Sequence, residues 1–162
     1  MTTNILKLLW LPILSLIFLV SCSTNIEDAI DTNIVQDKII TLSTLRLEKG
    51  YIVFFEKESH KDIGVAFIPP SKEKGKTSIN GYLNQNNNKL NWHYSASELG
   101  GTFYSVYYGT LTQPPKGKVY IEFKNGVRKE ATVLQASQSL VWTLVINERF
   151  EQNELKVTLE QG

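Results

Sequence analysis

Hydrophobic residues fall along this chain in two different ways. From Leu8 to Val20 they form a run of 13 residues, preceded by the single charge of Lys7 and interrupted by Pro12 and Ser15. From Ile39 onward they fall into short segments separated by polar turns. A helix needs about 20 apolar residues to cross a hydrocarbon core about 30 Å thick. The first run is too short for that, and Pro12 disfavours a permanent helix interior. Its length and flanking charge suit the apolar region of a secretory signal peptide.

The later segments carry the pattern of β-strands. Ile39–Leu47 is rich in β-branched residues. Tyr51-Ile52-Val53-Phe54-Phe55 is apolar on both faces, which predicts a central strand covered on both sides. Val65–Ile68 stops at Pro69-Pro70, because proline cannot donate to a ladder. Ser78–Leu83 gives way to the polar run Asn84-Gln85-Asn86-Asn87-Asn88, a loop signal. Leu90, Trp92 and Tyr94 alternate with Asn91, His93 and Ser95, as in a half-buried strand. Phe103–Leu111 is aromatic and apolar on both faces. Val119, Ile121 and Phe123 alternate with Tyr120 and Glu122, and Asn125-Gly126 then signals a hairpin. Val127, Lys129, Ala131 and Val133 keep the period, with Lys129 breaking the apolar row. Leu140–Ile146 is nearly all apolar, and Leu155–Leu159 closes the pattern.

These segments predict a mainly β protein of about nine strands, an antiparallel sandwich-like or strongly bent sheet. Gln113-Pro114-Pro115-Lys116-Gly117 is the clearest break within the domain, a candidate subdivision near 112–118. One short helix is expected near 25–32. Thr24 and Glu27 match a capping box, Ile26, Ala29 and Ile30 follow at helical spacing, and Asp28 and Asp31 favour the positive end of the dipole.

The apolar run ends in Leu19-Val20-Ser21-Cys22. This sequence resembles the lipobox of bacterial lipoproteins. The resemblance implies that the Cys22 sulfur takes a diacylglycerol and that a signal peptidase cuts between Ser21 and Cys22. Residues 1–21 are then a removed signal peptide, 22–24 the anchor, and 25–162 one β-rich extracytoplasmic domain. The implied partner is membrane lipid, joined through the covalent anchor at the outer face of the cell membrane. Cys22 is the only cysteine. No intrachain disulfide can form, and a lone cysteine in an exported chain calls for another use. Two or three acyl chains make such an attachment durable, whereas one is marginal. A helix beginning so soon after the lipid would keep the domain near the bilayer.

Composition narrows the function classes. Cys22 to Gly162 is 141 residues, a length suited to one domain. Loss of Lys7 from the 17 basic residues leaves 16, against 16 acidic. That balance lacks the basic stripe of a nucleic-acid binder, so no nucleic-acid partner is expected.

Candidate chemistry is sparse. His60 and His93 are the only histidines, and neither sits at zinc-ligand spacing. His60 lies in the polar turn Glu58-Ser59-His60-Lys61-Asp62, and His93 is expected to face away from Trp92 and Tyr94, toward water. The chain has no Gly-x-Ser-x-Gly elbow and no phosphate-cradling glycine loop. No catalytic residue, metal or cofactor is therefore assigned. Glu56 and Glu122 are the nearest candidates for acid/base work, although a strand's solvent face is the simpler reading of both. Trp92, His93, Tyr94, Tyr107 and Tyr108 form a candidate ligand surface, with Phe103, Tyr104 and Tyr120 close by. The alternative is ordinary core, since each such ring buries roughly 150–250 Å². Burial of five or more of the seven Trp, Tyr and Phe rings would remove the ligand-surface reading.

Ile26–Ile30, Tyr51–Lys57, Gly64–Ile68, Leu90–Tyr94, Tyr107-Tyr108-Gly109 and the Asn125-Gly126 hairpin together resemble a group of small uncharacterised lipoproteins from spore-forming Firmicutes. The resemblance spans most of the chain after Cys22 and implies the outer face of a bacterial membrane, but no activity. Three functions fit these observations. One is a non-catalytic surface module that binds an envelope protein or a cell-wall glycan. Another is an envelope-acting enzyme using acid/base carboxylates. The third is a purely structural surface protein.

Overall fold

The structure is a computed structural model, and it describes residues 26–30, 35–72, 77–83, 92–111, 113–149 and 155–159. Ten strands are present among them. They are β1 (Ile39–Leu47), β2 (Gly50–Lys57), β3 (Ile63–Ile68), β4 (Ser78–Leu83), β5 (Trp92–Leu99), β6 (Thr102–Leu111), β7 (Val119–Phe123), β8 (Arg128–Gln135), β9 (Leu140–Ile146) and β10 (Leu155–Leu159). This is one more than the figure of about nine, and each of the ten strand-like segments of the sequence, including the closing one, has its counterpart, with β10 paired along its whole length with β7. All pairings are antiparallel. A four-stranded sheet has the order β1-β2-β3-β4, and a six-stranded sheet has the order β10-β7-β8-β9-β6-β5. Strands from both sides of the break near 112–118 lie in the six-stranded sheet.

The expected helix over 25–32 is not supported. Ile26–Ala29 form a single helical turn, and Thr24 and residues 31–34 lie outside the described residues.

Three apolar clusters define the layers. Between the sheets lie Ile52, Phe54, Ile63, Val65 and Phe67 from one, and Tyr104, Val106, Tyr108 and Val141 from the other. Phe54 and Tyr108 meet edge to face across this layer, ring centroids 6.3 Å apart. The alternate residues of β2 and β3, namely Val53, Phe55, Ala66 and Ile68, point the other way, and Ala29, Ile30 and Val35 cover them. That double covering is why β2 is apolar on both faces. Gly64 sits in this outer layer directly under the Phe55 ring, in the space a side chain would need.

The third cluster lies on the far side of the six-stranded sheet. Tyr107, Val119, Ile121, Phe123, Trp142 and Ile146 are all buried there. The rings of Tyr107 on β6 and Phe123 on β7 are 5.2 Å apart. Yet β9 and β8 lie between those strands, which in a flat sheet would place them about 14 Å apart. The sheet is therefore curled into a half-barrel with this cluster on its concave side. The four-stranded sheet packs against the convex side.

Candidate functional site

The aromatic candidates do not share one surface. Successive side chains on a strand point to opposite faces, and the pairing Trp92↔Gly109, His93↔Tyr108, Tyr94↔Tyr107 divides them. Trp92, Tyr94 and Tyr107 line the concave side. Their centroids are 6.1 Å apart for Trp92 and Tyr107, and 4.9 Å for Tyr94 and Tyr107. Tyr108 lies between the sheets, and the His93 ring stands edge-on to it at 5.5 Å. His93 thus faces away from Trp92 and Tyr94, as expected, but it stands half-buried against the Tyr108 ring rather than free in water. Tyr104, Tyr107 and Tyr108 are buried, while Trp92, Tyr94, Phe103 and Tyr120 are half-buried. Three of the seven rings are thus buried, fewer than the five that would remove the ligand-surface reading, but the pleat divides the five-residue surface between the two faces of the sheet.

The carboxylates separate as clearly. Glu122 is exposed on β7. Glu56 is 1 % exposed, so its reading as a solvent-facing strand residue is corrected. It stands in register with Ile52 and Phe54 on the face of β2 turned toward the other sheet. Its carboxylate accepts the Ser137 N–H at 2.9 Å and also the Ser137 hydroxyl. Ser137 belongs to the loop joining β8 to β9, so this pair ties the two sheets together at one end. A charge taken out of water is tolerated only when hydrogen bonds replace its hydration, and Ser137 supplies two. The period-two phase of Ile52, Phe54 and Glu56 was the available sign that this glutamate faces inward.

His60 lies near two groups that suggest a catalytic triad by type. Ser59 Oγ touches both Asp37 Oδ2 and His60 Nδ1, and His60 Nδ1 is 4.0 Å from Asp37 Oδ2. The order is wrong for activating a nucleophile. In a triad the histidine stands between serine and carboxylate. Here the serine stands between them, and its one hydrogen goes to Asp37 while the oxygen accepts from Nδ1–H. The His60 side chain is 75 % exposed. Asp37 also accepts the Lys38 N–H at 2.8 Å and the Ser59 N–H at 3.1 Å. The Ser59 hydroxyl, and then these backbone donors, hold the Asp37 carboxyl below its ordinary range against the opposing effect of burial. The group is a clasp joining the segment before β1 to the β2–β3 turn.

One concavity bears on binding. A cleft of about 320 Å³ opens between β1 and the outward face of β8 and β9. Ser43, Thr132 and Thr143 give it hydroxyl groups, and Leu45 and Leu134 give it apolar walls. Beside it β1 is an edge strand, with Ile40 and Leu45 exposed at 42 % and 40 %. Sequence reading did not find this cleft, because it joins strands about ninety residues apart.

Among the described residues no group of three or more His, Cys, Asp or Glu side chains is placed to hold a metal ion. No helix among them is long and apolar enough to cross a membrane. Cys22 and Ser21 lie outside the described residues. No family model matches the chain, and no curated protein or solved structure matches it either.

Proposed function

We propose that this chain is exported, lipidated on Cys22 and held at the extracytoplasmic face of the cell membrane, where its β domain serves as a non-catalytic binding module. The observation that carries the anchor is the sequence Leu19-Val20-Ser21-Cys22 at the end of a 13-residue apolar run. The non-catalytic reading is supported by how the candidate groups are engaged. Glu56 is bound to Ser137, and Asp37, Ser59 and His60 form a clasp whose order does not activate the serine.

The binding role rests on β1. An edge strand can accept an extended segment of another protein as a further strand. The neighbouring cleft takes alternate side chains of such a segment, with Leu45 and Leu134 as its apolar walls. An envelope protein with an exposed strand or extended tail is the partner this edge fits.

Two measurements test these claims. Cys22→Ser should abolish incorporation of labelled fatty acid and release the protein from the membrane fraction. A photo-crosslinking residue at Leu45 should capture one protein reproducibly in living cells, whereas the same residue at Glu122 should not. Retained fatty-acid label on Cys22→Ser would sink the anchor, and equal capture from both positions would sink the β1 interface.

A further inference from the structure

Residues 26–30 and 35–38, which follow Cys22, are fixed to one face of the domain. Ala29, Ile30 and Val35 are each 1 % exposed and pack on Val53, Phe55, Ala66 and Ile68 of the four-stranded sheet. Thr77 Oγ1 donates to the Ala29 carbonyl at 2.6 Å inside the same buried patch. Further along, the Asp37 carboxylate holds the Ser59 N–H, and the Glu58 N–H donates to the Lys38 carbonyl at 2.9 Å. Both stretches are therefore pinned.

Four residue steps separate Cys22 from Ile26. A fully extended chain spans at most about 3.6 Å per residue, so these steps reach about 14 Å. Packed sheet layers are about 10 Å apart. Hence a lipid on Cys22 lies within reach of the outer face of the four-stranded sheet, while the concave side of the half-barrel is two layers further on. Beside this covering stretch, whose exposed Asp28 is acidic, the same side presents cations around an aromatic ring. Arg46 stands opposite Tyr51 in the β1–β2 register. The Lys72 ammonium lies 5.4 Å from the centre of the Tyr51 ring. Tyrosine with flanking cations suits the headgroup level of a bilayer, where anionic lipids attract basic side chains.

We propose that the outer side of the four-stranded sheet, with Ala29, Ile30 and Val35 packed over its centre, is turned toward the lipid surface, so that the half-barrel's concave side points away from the membrane. This orientation rests on the reading that Cys22 carries the lipid. It leaves the β1 edge open sideways, parallel to the membrane, where a neighbouring envelope protein can reach it.

The test uses the lipidated full-length protein, in which Cys22 is blocked and a second cysteine can be labelled alone. Thr44→Cys, on the outer face of β1, and Glu122→Cys, on β7, each carry a small fluorophore. The proteins are placed in phosphatidylglycerol vesicles containing a nitroxide-headgroup lipid, which quenches only at short range. Quenching several-fold stronger at position 44 than at 122 is expected, and it should weaken at position 44 for Arg46→Gln. Equal or reversed quenching on protein that floats with the vesicles overturns the orientation and leaves the anchor standing. Protein that fails to float because position 22 carries no lipid overturns the anchor, and the orientation with it.

Discussion

Removing the Glu56 carboxylate should loosen the junction of the two sheets. Glu56 is 1 % exposed and is joined to Ser137 by two hydrogen bonds, one from N–H at 2.9 Å and one from the hydroxyl. A hydrogen bond to a charged group contributes about 1.5–3 kcal/mol. Glu56→Ala loses both and leaves a cavity between the sheets, but it also removes a buried charge, whose desolvation opposes folding. The net cost should be about 2–4 kcal/mol, since the exposed Ser137 N–H can turn to water. Ser137→Ala deletes one donor and leaves the buried carboxylate with the other, costing about 1.5–3 kcal/mol. Because each substitution breaks the same contact, the double variant should fall short of additivity by about 1–2 kcal/mol. Equilibrium urea unfolding reads all four proteins, with the slope expected to stay constant so that midpoints report stability. A Glu56→Ala cost within about 0.5 kcal/mol of zero, or strict additivity with Ser137→Ala, would refute the latch, because surface substitutions away from such features fall in that range.

Three further outcomes follow from particular contacts. Gly64→Ala puts a methyl group into the Phe55 ring and should cost about 1–3 kcal/mol by overpacking, read as a lower urea midpoint; an unchanged midpoint would contradict the packing. Asp37→Ala should destabilise the domain at neutral pH by an amount that shrinks in acid. The native carboxyl is held below its ordinary value, so its contribution is complete above the unfolded pKa and is lost as pH falls through the folded one. Melting curves from pH 7 to pH 2 should therefore converge for the two proteins, and a constant gap would count against the clasp. Thr77→Val removes the 2.6 Å bond to the Ala29 carbonyl at a cost of about 1 kcal/mol, and hydrogen exchange should quicken in residues 26–30 more than in β6.

Much of the strand pattern was legible because burial and period coincide. Tyr51–Phe55 is apolar throughout, and the structure covers β2 on both faces. Val119–Phe123 alternates strictly, and its buried positions are the three apolar ones. Adjacent Tyr107 and Tyr108 had to face opposite sides of a strand, so a single surface using both was already in tension with the pleat. What the sequence could not show is non-local. The pairing of β10 with β7 and of β9 with β6 depends on closure over long loops, and the curl is visible only once Tyr107 meets Phe123. The inward Glu56 was hidden because its partner Ser137 lies 81 residues away and nothing local marks that serine. The cleft beside β1 has the same origin, formed between β1 and the β8–β9 pair, with which β1 shares no turn.

The N-terminal peptide of the membrane-bound protein decides most directly whether this domain is a lipid-anchored module. Intact-peptide mass spectrometry after detergent extraction and proteolysis should find a chain that begins at Cys22 and carries the added mass of a diacylglyceryl group, with or without a further acyl chain. A mature N-terminus elsewhere, or a Cys22 peptide with an unmodified thiol, would contradict it.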